Sequence, residues 1–163
     1  MQNFARTILE SYIFEKKVLT PKDFPADLPL MTEKLPAFIT IYDGENVVGS
    51  NGRIYPIHET ALEELIENTL SLTKDQRFEE YLHNPEKARK LRYRVDIFRD
   101  HDRRLLHHPD ELDGASEGII ILCQKQEKVG IILPHMLPPT LSGEEIYHRA
   151  IAKVQLDTKR IGK

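Results

Sequence analysis

Ser50 and Asn51 stand between Gly49 and Gly52, directly after the apolar pair Val47-Val48 and just before Arg53. A serine hydroxyl can attack an electrophilic centre, but at its free pKa it needs a general base. It can also hydrogen bond a bound ligand. Glycine permits backbone conformations that a β-carbon forbids, so a ligand can approach bare amides closely there. Gly49, Ser50, Asn51, Gly52 and Arg53 therefore form a candidate ligand-binding loop, with Ser50 as the candidate nucleophile. His58, near the start of a predicted helix, is the base that the fold would have to bring back. Catalytic triads are recognised by geometry rather than by sequence, so binding is the preferred reading here. The plainer alternative is that Ser50 and Asn51 satisfy backbone groups where a strand passes into a loop.

Three further groups could carry chemistry. Arg77, between Asp75 and Phe78, could hold an anion or carboxylate bidentately. The competing reading is a clasp, with Phe78 in the core and Arg77 bonded to carbonyls. His101, Asp102, His107 and His108 are zinc- or iron-ligand types. Their spacing matches no helix face, and ligands gathered in one loop would lack groups to orient them. They read as a solvated loop, and neither a metal nor a cofactor is expected. Cys123, in the most apolar stretch, reads as core packing rather than as a reactive thiol. Lys87, Arg89, Lys90, Arg92, Arg94, Arg99, Arg103 and Arg104 make a basic segment with a conceivable nucleic-acid role. Asp96, Asp100 and Asp102 dilute it, and Glu59, Glu63, Glu64 and Glu67 are expected to face it within the molecule. A solvated face is the preferred reading.

The elements that must position these residues follow from periodicity. Phe4, Ile8, Leu9, Tyr12 and Ile13 predict an amphipathic helix over 3–17. The segment 20–36, with Pro21, Pro25, Pro29 and Pro36, reads as an extended surface connection. Phe38–Tyr42, a turn at Asp43-Gly44 and a return at Val47-Val48 make a hairpin. A second helix is predicted over 59–72 and a short one over 75–82. Asn84-Pro85 is an N-cap followed by a first-turn proline. Leu91–Ile97 alternates as a half-buried strand. Gly118–Cys123 is apolar on both faces and reads as a central strand. The chain turns over Gln124–Lys128 and returns as Val129–Leu133. Ser142 and Glu145 form a capping box that opens a last helix.

The chain has 163 residues, with 23 Lys and Arg against 26 Asp and Glu, for a net charge of −3. That length fits one domain, 1–163, with room for two lobes. The weak net charge favours neither nucleic acid nor an anionic membrane. No apolar run is long enough to span a bilayer, and Met1–Arg6 lacks a signal-peptide core. A single cysteine excludes an internal disulfide. These features predict a soluble cytoplasmic protein.

The sequence also carries an internal echo, read either as a duplication or as the general likeness of any two hairpins followed by a helix. When Gly49 is placed on Gly130, an offset of 81, Phe38–Ile41 falls on Ile119–Leu122 without a gap. At the same offset Glu63–Ile66 falls on Glu144–Tyr147, and Thr69-Leu70 on Ala150-Ile151. A duplication would place two hairpin-plus-helix units on one antiparallel sheet. The second copy has Ile131-Ile132-Leu133 where the first has Ser50-Asn51-Gly52, so only the first carries polar candidates.

The order of these features resembles the AMMECR family, named from Alport syndrome, midface hypoplasia and elliptocytosis. Val47–Gly52 occupies the place of the family's Leu-Arg-Gly-Cys-Ile-Gly. Asp75-Gln76-Arg77-Phe78 is similar to its Asp-Pro-Arg-Phe. Leu91–Ile97 resembles its alternating strand, and Gly130–Pro134 its late Gly-Leu-Leu-Leu-Pro. The resemblance covers about residues 4–155. It implies an α+β fold with an internally duplicated, barrel-like, mainly antiparallel sheet. It also implies partners of the radical-SAM or Memo type, in a modification system of unsettled substrate. Ser50 replaces the motif cysteine, Val48 its arginine and Asn51 its isoleucine. The expectation is a binding or adaptor module that takes a small polar ligand or a partner's loop at Gly49–Arg53, with Arg77 nearby. The alternative is an enzyme or accessory subunit of such a modification pathway.

Overall fold

A computed structural model describes residues 2–29, 31–99, 103–123 and 128–160. His101 and Asp102 of the metal reading, Asp100, and residues 124–127 of the predicted turn lie outside them. The fold is α+β, and it divides into two compact units, Met1–Arg103 and Arg104–Lys163.

In the first unit, helix α1 (Gln2–Glu15) buries Ala5, Ile8, Leu9 and Ile13 on one face. The predicted hairpin forms as β1 (Ala37–Asp43) and β2 (Asn46–Asn51). Its turn holds Gly44 at φ +59°, a left-handed conformation that glycine reaches without strain. Strand β3 (Arg92–Ile97) pairs with the other side of β1, giving the antiparallel order β2-β1-β3. Helix α2 (Ala61–Ser71) packs on this sheet. Thr60 caps it, accepting from the Glu63 amide while the Glu63 carboxylate accepts from Thr60 N–H. Short helices α3 (Glu79–Leu82) and α4 (Pro85–Arg89) follow, and Asn84 caps the latter as predicted.

The core of this unit gathers Ile8, Leu9, Ile39, Ile41, Leu65, Phe78, Tyr81 and Leu91. The proline-rich connection is more than a surface link. Met31 is buried in the core, and the carbonyls of Met31 and Glu33 accept from the Leu62 and Ala61 amides. First-turn amides have no partner inside their own helix, so the connection supplies one.

In the second unit, β4 (Ile119–Cys123) pairs antiparallel with β5 (Lys128–Ile132), and helix α5 (Gly143–Arg160) packs on both. Ser142 and Glu145 form the predicted capping box. The core here is Leu112, Ile119, Ile132, Ile146 and Ala150. Strand β4 was expected to be central, but it lies in a two-stranded sheet with Leu122 49% exposed. An apolar run cannot by itself distinguish a strand buried on both faces from one left open on one side. The described strands thus form two small antiparallel sheets, neither closed into a barrel.

Candidate functional site

The expected loop is mostly strand. Gly49, Ser50 and Asn51 pair with Ile41, Thr40 and Ile39 of β1, so the chain leaves the sheet only at Gly52. The glycines have a packing role. A β-carbon at Gly52 would lie 2.3 Å from the Phe38 ring, and one at Gly49 would lie 3.3 Å from a Leu72 methyl. The space on the β-carbon side of each glycine is taken by the protein's own side chains.

The Ser50 hydroxyl lies 3.4 Å from that of Thr40, a residue with no exposed surface. Among the described residues no His, Asp, Glu or Lys side chain hydrogen bonds it. His58 turns elsewhere, and its Nε2 bonds Glu67.

The polar chemistry of this region converges instead on α2. Glu64 and Asn68 have 0% and 1% exposure. One Glu64 oxygen accepts from the backbone N–H of Ile57 at 2.6 Å and of His58 at 2.8 Å. The other lies 3.5 Å from Arg53 Nε and 3.5 Å from Asn68 Nδ2. Asn68 also donates to the Ala37 carbonyl at 3.0 Å, tying α2 to β1. Asn51 Nδ2 donates to the Asn68 carbonyl at 3.2 Å, and Arg53 Nη2 to Asn68 Oδ1 at 3.3 Å. Arg53 Nη2 reaches Glu67 as well, at 3.2 Å. The bond from His58, together with that from Arg53, holds the Glu67 carboxyl below its ordinary range.

The segment Gly52–Thr60 is thereby pinned as a strap between β2 and α2. Its buried side joins Ile54 to a bonded polar network with Glu64 and Asn68 at the bottom. Its open side shows part of Arg53, His58 and Glu67. Asn51 and Arg53 belong to this network as the sequence reading grouped them. Glu64 and Asn68 were missed, although a signal existed: they sit four residues apart among Ala61, Leu65, Ile66 and Thr69, on the helix face that must be buried.

The other candidates fall outside this network. Arg77 is paired with Asp75, its Nη2 at 2.6 Å from a carboxylate oxygen, which pushes the guanidinium pKa up. Asp75 also caps the following turn through the Arg77 amide, and Phe78 is fully buried. The clasp reading thus holds, with a carboxylate in place of carbonyls. Glu59, Glu63, Glu64 and Glu67 find partners outside the basic segment. They bond Lys34, Thr60, Arg53 and His58 on their own side. Five of the eight basic side chains have these partners: Lys87 with Glu80, Arg89 over Phe14, Arg92 over Tyr42, Arg94 with Asp96, and Arg104 with Glu117. His107 and His108 are exposed, and no group of three metal-ligand types gathers among the described residues. Cys123 is a half-buried free thiol at the end of β4 rather than a core residue.

Comparison with known proteins gives a fold and no more. No family model matches the chain, and no curated protein matches it. Its structure is similar to the crystal structure of an uncharacterized protein, PH0010, from Pyrococcus horikoshii. The likeness has a TM-score of 0.70 at 20% identity, and covers 94% of this chain and 77% of that one. Among the described residues no helix is long and apolar enough to cross a membrane.

Proposed function

We propose that this chain is an AMMECR-type domain that acts as a cytoplasmic binding or adaptor module, with its site on the strap Gly52–Thr60 and the adjoining end of β2. The observation that carries this reading is the buried Glu64–Asn68 pair beneath a strap whose Arg53, His58 and Glu67 reach the surface. A buried, bonded polar network fixes geometry, and fixed geometry lowers the ordering cost of binding. The occupant is a small polar ligand or a partner's loop. A system with radical-SAM or Memo-type partners remains part of the resemblance. The enzyme reading draws no support from Ser50, whose hydroxyl bonds Thr40 rather than a base.

The two units each carry an antiparallel hairpin followed by a helix. The same proposal treats them as duplicated units, of which only the first is polar at the strand end.

The test is a two-dimensional amide NMR titration of the protein with small carboxylates, phosphates, amides and short peptides. Shifts concentrated at Asn51, Arg53, His58, Glu67 and Asn68, and lost in Arg53→Met, would support the proposal. Shifts that map elsewhere, or none with any probe, would overturn it.

A further inference from the structure

The strap does more than bridge two elements. Ile54 is 5% exposed and anchors the strap in the core, while Tyr55 and Ile57 stand 66% and 64% exposed on either side of Pro56. Scattered exposed apolar residues need no explanation. These two are different because their backbone is held. Behind them the amides of Ile57 and His58 are bonded to fully buried Glu64, and Pro56 fixes its own φ. Ahead of them Arg53 is tied to Glu64, Glu67 and Asn68. A tyrosine and an isoleucine are thus presented on a rigid mount. Rigid aromatic and aliphatic anchors are what binding hot spots use, because little conformational freedom is left to lose.

The charges around the mount narrow the occupant. Glu59, Glu63, Glu64 and Glu67 meet Arg53, Lys34 and, through Glu67, His58 there, so four carboxylates stand against two permanent cations and one histidine. Glu59 is 81% exposed at the side chain and Glu67 42%, so this acidic face reaches the surface even with Lys34, Arg53 and His58 bonded to it.

We infer that Tyr55 and Ile57 form a docking knob for a protein partner that offers an apolar socket rimmed by lysine or arginine. The knob supplies the apolar contact, and the surrounding carboxylates favour a basic rim through complementary potential. This inference rests on reading the strap as a binding site, and it names the partner's chemistry. A polar small molecule would engage Arg53 and His58 and leave the two apolar side chains untouched.

The test uses the whole chain as bait for a random peptide library, followed by fluorescence polarisation with the enriched peptides. The expected peptides combine aromatic or aliphatic residues with Lys or Arg. Tyr55→Ser and Ile57→Ser should each weaken them tenfold or more, whereas Val18→Ser, at another exposed apolar position, should change affinity less than twofold. Affinity should also fall as salt rises. Unchanged melting curves for the serine variants confirm that the fold is retained. Peptides that shift the strap amides yet ignore both serine changes would overturn the knob and leave the strap reading standing. Acidic consensus peptides, or self-association of the chain that Tyr55→Ser abolishes, would overturn the basic-socket partner. If no peptide is enriched and no probe shifts the strap, both readings fail.

Discussion

Replacing Glu64 tests the load on the strap directly. Its carboxylate accepts two backbone N–H groups at 2.6 and 2.8 Å, and its other oxygen faces Arg53 and Asn68 at 3.5 Å each. In Glu64→Ala two charge-assisted bonds vanish, at about 1.5–3 kcal/mol each, and the amides of Ile57 and His58 lose their protein acceptor. The loss of the ion pair adds little, because Arg53 keeps Glu67 and its side chain is 27% exposed. The total is about 3–5 kcal/mol, the range for stranding one partner of a buried pair. Glu64→Gln retains a carbonyl for both amides but turns an NH2 toward two other donors, so it should cost less, about 2 kcal/mol. Amide hydrogen exchange at Ile57 and His58 reads local opening. Since each 1.4 kcal/mol is about tenfold, protection at both should fall more than a hundredfold in the alanine variant and about thirtyfold in the glutamine variant. If both amides keep their protection within threefold in Glu64→Ala, Glu64 does not hold the strap.

The glycines give a graded contrast. Gly52→Ala places a β-carbon 2.3 Å from the Phe38 ring, which is 5% exposed and packed on Phe98, so overpacking should cost about 1–3 kcal/mol. Gly49→Ala meets only the tip of Leu72 at 3.3 Å and should cost less, an order that thermal unfolding can check. Ser50→Ala leaves the buried Thr40 hydroxyl without its partner and should cost about 1 kcal/mol in denaturant unfolding. In the second unit, the Arg104 guanidinium and the Asp113 amide hold the Glu117 carboxyl down at about 2. A depressed folded-state pKa stabilises above the unfolded value and is lost as pH falls through the folded one, so this contribution should disappear between about pH 5 and pH 2. Carbon-detected NMR titration of Glu117 should show the low midpoint, and Arg104→Gln should return it toward the usual carboxylate range.

The parts of the fold that were legible in the sequence were those governed by local pattern. Helix α1, the β1–β2 hairpin, β3, the Asn84 cap and the Ser142–Glu145 box all depend on neighbours within a few residues, and each formed. The site was legible only in part, because long-range packing decided it. Gly49 and Gly52 signalled freedom, but Leu72 and Phe38 fill that space. Nothing near Gly52 in sequence announces that ring. Arg53 was identified as a binding residue from its place beside the glycines. Its partners at Glu64 and Glu67 lie a helix turn apart on α2, and pairing them required knowing that the strap folds back. The partners of the basic segment were hidden for a related reason, since net local charge does not reveal that Lys87 meets Glu80 and Arg104 meets Glu117.

The sequence echo holds at some positions of the structure and breaks at others. At the offset of 81, Leu65 falls on Ile146 and Thr69 on Ala150, and all four are buried against their sheets. Gly49 falls on Gly130, which lies under α5 with its missing β-carbon 2.3 Å from Val154. The strands break the ungapped alignment. Gly49 faces Ile41, whereas Gly130 faces Ile121, so the first strand matches at an offset of 80. A slip of one residue reverses which side chains face the core. The irregularity between Ile41 and Tyr42 in β1–β2 pairing is where the first hairpin departs from the second. Glu64 falls on Glu145, and here the echo separates the two roles. Glu145 is exposed and accepts from the Ser142 amide at the start of its own helix. Glu64 is buried, and it accepts from Ile57 and His58 across the strap. In the first unit the helix cap falls one residue earlier, on Glu63 with Thr60, so the capping boxes match at an offset of 82 and Glu64 is left to anchor the strap. The difference follows from the preceding segment: Gly52–Thr60 folds back over α2, so its amides, rather than solvent, reach the carboxylate.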